Sequence, residues 1–173
     1  MDRTAVAAFL RSHDSLAVAR RGELVDALRH PAVLAWSDAE LVGVATYVAD
    51  GGACELLTLH AETRRSGVGT ALVDAVRTRA LDAGCELLWV VTTNDNVDAL
   101  RFYQRRGFRL ARLRTGAVDE SRETLKPDIP PIGSTASRCA TRSSWTCCWP
   151  WRIACEGVGM STPPNHSLRR GPA

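Results

Sequence analysis

The sequence lacks a long apolar run. Its longest apolar stretches are short, such as LLWVV at residues 87–91. The N-terminus MDRTAVAAFLRSHD also lacks the basic start and extended apolar stretch that are typical of a signal peptide. These absences argue against a membrane-spanning helix and against secretion, so we expect a soluble, cytoplasmic chain.

The first 133 residues lack an excess of either charge. They hold 17 basic and 18 acidic side chains, whereas residues 134–173 hold 5 basic and 1 acidic, so the formal net charge of +3 belongs to the C-terminal part. No basic face interleaved with aromatic residues stands out before residue 134. We therefore expect no nucleic-acid partner and no membrane partner.

Cysteine is scarce in the same region. Only Cys54 and Cys85 precede residue 134, each alone in a predicted strand, as expected for buried apolar residues of a reducing compartment. The other four cysteines lie at residues 139–155 without the paired spacing of a zinc site, so we expect no metal.

Hydrophobic patterning predicts a short helix near residues 4–11, followed by four strands: SLAVA, AVLAW, ELVGVATYVAD and CELLTLH. A helix then begins at Val68 and stops at Gly84. The strand ELLWVVTT, the helix VDALRFYQRR and the strand FRLARLR follow. The predicted order β-β-β-β-α-β-α-β is that of an α/β domain over residues 1–133.

The C-terminal residues 134–173 lack sustained periodicity and hold three of the five tryptophans. Translated from the third base of each codon, WTCCWPW becomes Asp, then an apolar residue, Leu, Leu, Ala and another apolar residue. The codons of the other residues are free to choose; with GC-rich ones, the window from residue 133 can be read as EHGIPLRDEVELDLLLAV, whose end alternates like an amphipathic strand. We interpret residues 134–173 as an aberrant, frame-shifted and largely disordered tail that has lost a last strand.

The turn RRSGVGT at residues 64–70 follows a strand and leads into a helix. A helix N-terminus has unpaired amide groups and partial positive charge, so such a turn can bind phosphate. It has no lysine for a Walker A loop, and Leu72 stands where a dinucleotide fingerprint needs its third glycine. It does match the pattern [QR]xxGx[GA] through Arg64, Gly67 and Gly69.

With this turn and the later segment TTNDNVDALRFYQRRGF at residues 92–108, the chain resembles the GNAT superfamily of acyl-CoA-dependent N-acetyltransferases. The resemblance implies a mixed central sheet with an antiparallel N-terminal meander. It also implies acetyl-CoA as co-substrate and acetyl transfer to a primary amine by direct attack, without a metal.

The resemblance further implies where acetyl-CoA lies. Leu57 and Leu59 would pair their backbones with the pantetheine arm, and Asn96 would hydrogen-bond that arm. The pyrophosphate would be surrounded by the residues of the turn, which are Arg64, Arg65, Ser66, Gly67, Val68, Gly69 and Thr70.

Acetyl transfer needs oxyanion stabilisation and a proton for the departing thiolate. A backbone N–H near residues 57–59 is the candidate for the first, and Tyr103 is the candidate acid, with a packed aromatic as its alternative role. Glu55 is the candidate base, expected on the same side of its strand as Leu57; its alternative role is a solvated carboxylate. In a regular strand His60 would point to the opposite side, as an ordinary strand-end histidine.

Two other functions stay open at this point. One is a module that binds acetyl-CoA without catalysis, because loss of the last strand would open the acceptor side. The other is a nucleotide-binding protein that uses the same turn. The acceptor would be a small-molecule or peptide amine, and a homodimer is a possible assembly.

Overall fold

A computed structural model describes residues 3–20, 22–133, 139 and, for the backbone alone, 142–148. Helices in these residues are α1 (Arg3–Ser12), α2 (Val68–Asp82), α3 (Val97–Arg105) and α4 (Ala117–Thr124), with a 3₁₀ turn at Ala27–Arg29. Strands are β1 (Ala17–Arg20), β2 (Glu23–Asp26), β3 (Ala32–Ser37), β4 (Glu40–Asp50), β5 (Ala53–Ala61), β6 (Leu87–Thr93), β7 (Arg109–Arg114) and β8 (Arg142–Cys148).

Six strands form the central sheet in the order β3-β4-β5-β6-β8-β7. The strands β3, β4 and β5 are an antiparallel meander, whereas β5 and β6 are parallel. The last strand in the sequence, β8, runs antiparallel to β6 on one side and to β7 on the other. This mixed sheet confirms the predicted α/β class.

The N-terminal strands differ from the prediction in one respect. The segment SLAVA contributes β1, which pairs with the unpredicted β2 in a separate hairpin instead of joining the meander. The strand β2 has four residues, of which Leu24 and Val25 alone are apolar, and Leu24 is half exposed. So short a strand has no hydrophobic pattern that would reveal it.

The expected loss of a last strand is wrong for the backbone, because residues 142–148 form β8. This strand fills the space between β6 and β7, both of which would otherwise have an unpaired edge there. Backbone pairing does not require an alternating apolar sequence, which is why the pattern failed to predict it. The predicted disorder of residues 134–138, 140–141 and 149–173 lies outside the described residues.

Helices pack on both faces of the sheet. On one face α2 contributes Leu72, Val73 and Val76 to a core that includes Leu56 and Leu88 from the sheet. On the other face α1 packs its buried side chains against the sheet and the 3₁₀ turn; this second core contains Val6, Phe9, Leu10, Ala27 and Val44. None of the helices in the described part of the chain is long and apolar enough to cross a membrane.

Candidate active site

The two parallel strands separate at the centre of the sheet. Strand β5 pairs with β6 only from residue 53 to Leu56, although β5 continues to Ala61 and β6 continues to Thr93. The predicted site residues Leu57 and Leu59 lie beyond the last pair. Their strand therefore has a backbone edge, facing β6, at which an extended ligand could pair.

A β-bulge lies where the strands separate. Thr46 of β4 is opposite Thr58, but the next residue, Tyr47, is opposite Leu56, so Leu57 is an extra residue of β5. A bulge disrupts the hydrogen-bond ladder locally and leaves the extra residue unpaired. The backbone near Leu57 is consequently available to contact a ligand in the opening.

The predicted pyrophosphate turn leads directly into α2. Gly67 is the N-cap at a φ of 89°, Arg65 also has a positive φ of 63°, and no side chain caps the helix. The first bond of the helix is made by Ala71, whose N–H donates to the Gly67 carbonyl over 3.0 Å. The amides of the preceding residues, Val68 to Thr70, lie before the first hydrogen bond of the helix, and a helix end of this kind can bind an anion.

The turn is joined to the start of α3. The Arg64 guanidinium lies 2.5 Å from the Asp98 carboxylate, in an exposed ion pair. Asn96 caps α3 by accepting a hydrogen bond from the Ala99 amide over 3.1 Å. The N-termini of α2 and α3 thus lie side by side, and the cap uses the Asn96 oxygen while leaving its amide nitrogen for a ligand.

Tyr103 lies on the inner face of α3 and is only 5% exposed. Its ring centroid is 5.3 Å from that of Phe102 and 5.3 Å from that of Phe108. Burial raises the pKa of the Tyr103 phenol above its ordinary value, so the group is protonated at neutral pH. Tyr103 can therefore pack as an aromatic side chain and also serve as a proton donor.

Glu55 is buried and ion-paired instead of solvated. Its Oε2 lies 2.5 Å from Nε of Arg20, which reaches it from the end of β1. The Glu55 side chain is 5% exposed and that of Arg20 is 23% exposed. The expectation of a solvated carboxylate on this strand is therefore wrong.

The bulge also changes which side chains share a face of β5. Glu55, Thr58 and His60 are opposite alternate residues of β4, at positions 48, 46 and 44, and so point to the same face. The prediction that His60 points away from Glu55 assumed a regular strand, and it is wrong because Leu57 is an extra residue. The prediction that Glu55 and Leu57 share a face also assumed regular alternation, which the extra residue Leu57 interrupts.

The polar face of β5 is the part of the site that sequence reasoning missed. The hydroxyls of Thr46 and Thr58 are 2.8 Å apart and buried, and the His60 ring lies 4.7 Å from the ring of His13, which directly follows α1. Burial, with His13 adding to it, lowers the pKa of His60 to about 4, so its imidazole is neutral at pH 7. No local pattern connects these residues, because each pairing joins distant parts of the chain.

Comparisons with known proteins identify the same family as the two sequence motifs. Residues 5–108 match the model of the Acetyltransferase (GNAT) family. Over 93 residues the chain is 42% identical to the protein YdhI of Bacillus subtilis (strain 168), covering 54% of this chain and 58% of YdhI. The chain thus spans less than two thirds of the length of this relative.

Solved structures share the fold. A GNAT family acetyltransferase from Elizabethkingia anophelis with acetyl-CoA bound has a TM-score of 0.61 at 21% identity, over 68% of this chain and 75% of its own. The ribosomal-protein-S18-alanine N-acetyltransferase from Escherichia coli has a TM-score of 0.59 at 16% identity, over 85% of this chain and 87% of its own.

Proposed function

Because the chain belongs to the acetyltransferase (GNAT) family, we propose that it transfers the acetyl group of acetyl-CoA to a primary amine of a small molecule or peptide. The observation that carries this proposal is the opening between β5 and β6 beside the uncapped N-terminus of α2. An edge for amide pairing next to an anion-binding helix end suits a ligand with an extended amide arm and a pyrophosphate.

In this proposal the residues of the chain divide the work of binding. The amides from Val68 to Thr70 bind the pyrophosphate, with Arg64 and Arg65 adding positive charge around it. The edge of β5 at Leu57 and Leu59 pairs with the pantetheine arm, and the Asn96 amide nitrogen donates to the same arm. This placement brings the thioester to the bulge, next to the inner face of α3.

The chemistry then needs three contributions from the chain. A backbone N–H at the bulge donates to the oxygen that gains negative charge as the amine attacks the thioester carbon. The Tyr103 hydroxyl gives its proton to the departing thiolate sulfur. Glu55, held by Arg20, accepts the proton that the amine must lose. The bond from carbon to sulfur breaks as the bond from carbon to nitrogen is completed, without a covalent enzyme intermediate.

Release of free thiol from acetyl-CoA tests the activity. The amine panel contains small polyamines, free amino acids and a peptide with an N-terminal alanine, since one structural neighbour is an alanine N-acetyltransferase. We expect thiol release that depends on both substrates. If acetyl-CoA binds but no amine increases thiol release above hydrolysis, the transferase proposal fails.

A second candidate is a module that binds acetyl-CoA without catalysis. The observation in its favour is that the candidate base, Glu55, is already engaged in a buried ion pair with Arg20. A thermal-shift measurement with acetyl-CoA distinguishes both candidate functions from a protein that does not bind acetyl-CoA. At about a hundredfold excess over the dissociation constant, acetyl-CoA should stabilise the fold by roughly 2.7 kcal/mol in either case; only the enzyme also releases thiol with an amine.

A further inference from the structure

The outer edge of the sheet next to β8 is formed by β7. In the described part of the chain β7 pairs with β8 alone, so its other backbone edge has no strand partner. Unpaired N–H and C=O groups along such an edge can accept a further extended chain. An edge of this kind is normally blocked or charged, so its side chains decide what can approach.

A second β-bulge, in β7, places the arginines and the leucines of this strand on opposite faces. Leu110 and Arg112 lie opposite consecutive residues of β8, which makes the intervening Ala111 an extra residue. Arg112 would otherwise share a face with Leu110. With the bulge, Arg109, Arg112 and Arg114 lie on one face and Leu110 and Leu113 on the other.

Both faces of β7 are open to solvent. The three arginines are exposed, and Leu110 and Leu113 are 54% and 56% exposed. The two half-exposed leucines give this face of the edge strand an apolar surface that is open to solvent. Arg109, Arg112 and Arg114 together form the arginine edge of β7.

The positive charge around this strand is not neutralised within the described residues. None of the three arginines forms an ion pair with a described residue. Residues 101–114 contain no acidic residue, and Arg101, Arg105 and Arg106 precede the strand. The sequence analysis looked for a basic face interleaved with aromatic residues, and for that reason it did not single out this arginine-rich strand.

We propose that β7 binds an extended acidic peptide, which adds a strand to the sheet. Its carboxylates would meet the arginine edge, its apolar side chains would meet Leu110 and Leu113, and its backbone would pair with the free edge. A second copy of the chain is disfavoured, because pairing two β7 strands would bring arginines together. Residues 149–173 carry three arginines and one glutamate, so they offer no acidic complement.

Binding of a labelled peptide tests the proposal. The probe is a peptide of alternating glutamate and valine, about eight residues long, measured by fluorescence anisotropy with acetyl-CoA absent and saturating. We expect saturable, salt-sensitive binding that acetyl-CoA does not displace. A peptide of the same composition with its glutamates and valines in separate blocks should bind roughly tenfold more weakly, because it cannot present one acidic face.

Variants locate the site. The double substitution Arg109→Glu with Arg112→Glu should weaken binding by roughly tenfold or more, and Leu110→Thr with Leu113→Thr by roughly threefold to tenfold. Arg79→Glu, which reverses an exposed arginine on α2, is the matched control and should leave the affinity unchanged. Thermal unfolding of every variant shows that the fold is intact.

Five results would overturn the proposal. Absence of peptide binding to the folded protein, or equal binding of the block peptide, would mean that no strand is added. Competition by acetyl-CoA would assign the arginines to the cofactor site. Tighter binding of a single-stranded oligonucleotide, lost with the same arginine substitutions, would identify a nucleic-acid surface. A dimer in sedimentation that dissociates with these substitutions would make the partner a second copy.

Discussion

Arg20 and Glu55, 35 residues apart, form an ion pair across the face of the sheet that carries α1. The pair is unequal, because the Glu55 side chain is 5% exposed and the Arg20 side chain is 23% exposed. If Arg20 is removed, the carboxylate stays buried without its cation. If Glu55 is neutralised, Arg20 can turn toward solvent.

This inequality predicts unequal costs of substitution. Arg20→Met should lower the free energy of unfolding by about 3 kcal/mol, whereas Glu55→Gln should lower it by about 1 kcal/mol. The double variant should recover part of the loss of Arg20→Met, because it no longer buries the charge of the Glu55 carboxylate. Urea unfolding of the original protein, the two single variants and the double variant measures these free energies. Equal losses in the two single variants would contradict the prediction.

The glycines of the turn should differ in their tolerance of substitution. Gly67 has a φ of 89°, which only glycine adopts without strain, so Gly67→Ala should distort the start of α2 and weaken acetyl-CoA binding roughly tenfold. Gly69 is the control. A Cβ there would lie 3.7 Å from Phe102, an ordinary contact, so Gly69→Ala should keep its affinity. Calorimetric titration with acetyl-CoA compares both variants with the original protein. An unchanged affinity of Gly67→Ala would remove the turn from the binding site.

Tyr103→Phe separates catalysis from packing. The substitution keeps the ring between Phe102 and Phe108 and removes the hydroxyl that would protonate the thiolate. We expect kcat to fall by roughly a hundredfold, with KM for acetyl-CoA and the melting temperature nearly unchanged. Tyr47→Phe changes the other tyrosine of the chain and should leave kcat unaltered. A kcat for Tyr103→Phe close to that of the original protein would leave the residue a packing role alone.

The sequence predicts the elements that depend on local pattern. The strand predicted at residues 40–50 has those bounds, and the helix predicted from Val97 begins there behind the Asn96 cap. What it does not predict depends on distant partners. Leu57 is an extra residue only in the pairing of β5 with β4, and the partner of Glu55 comes from a strand in a separate hairpin. The hairpin strand β2 has too few apolar residues to signal itself.

His60 should make stability depend on pH. Its folded-state pKa is lowered to about 4 from an ordinary 6.5, mainly by burial. As pH falls from 6.5 toward 4, the unfolded chain binds the proton first, so stability present above pH 6.5 is lost across this window. The loss should be about 2–3 kcal/mol.

The substitution His60→Gln should flatten this part of the stability profile. His30→Gln, in a histidine that has no ring contact with His60, is the matched control and should leave the slope as it is. Urea unfolding measured at intervals between pH 4 and pH 7 gives both slopes. If His60→Gln and the original protein have parallel profiles, another group controls the acid instability.

The strand β8 offers a test of the shifted reading frame. Its backbone already occupies the place between β6 and β7, at residues 142–148. With GC-rich codons these residues can be read in the shifted frame as VELDLLL, which supplies apolar side chains to a strand with sheet neighbours on both sides. A chain that carries EHGIPLRDEVELDLLLAV from residue 133 should unfold at a higher urea concentration, with a free energy of unfolding that is higher by about 2 kcal/mol or more.

A control chain with the same residues in shuffled order should gain no stability. Resequencing of the locus should find the one-base change. A less stable substituted chain, or a locus in which no one-base change restores the apolar pattern, would show that residues 134–173 belong to the protein as they stand.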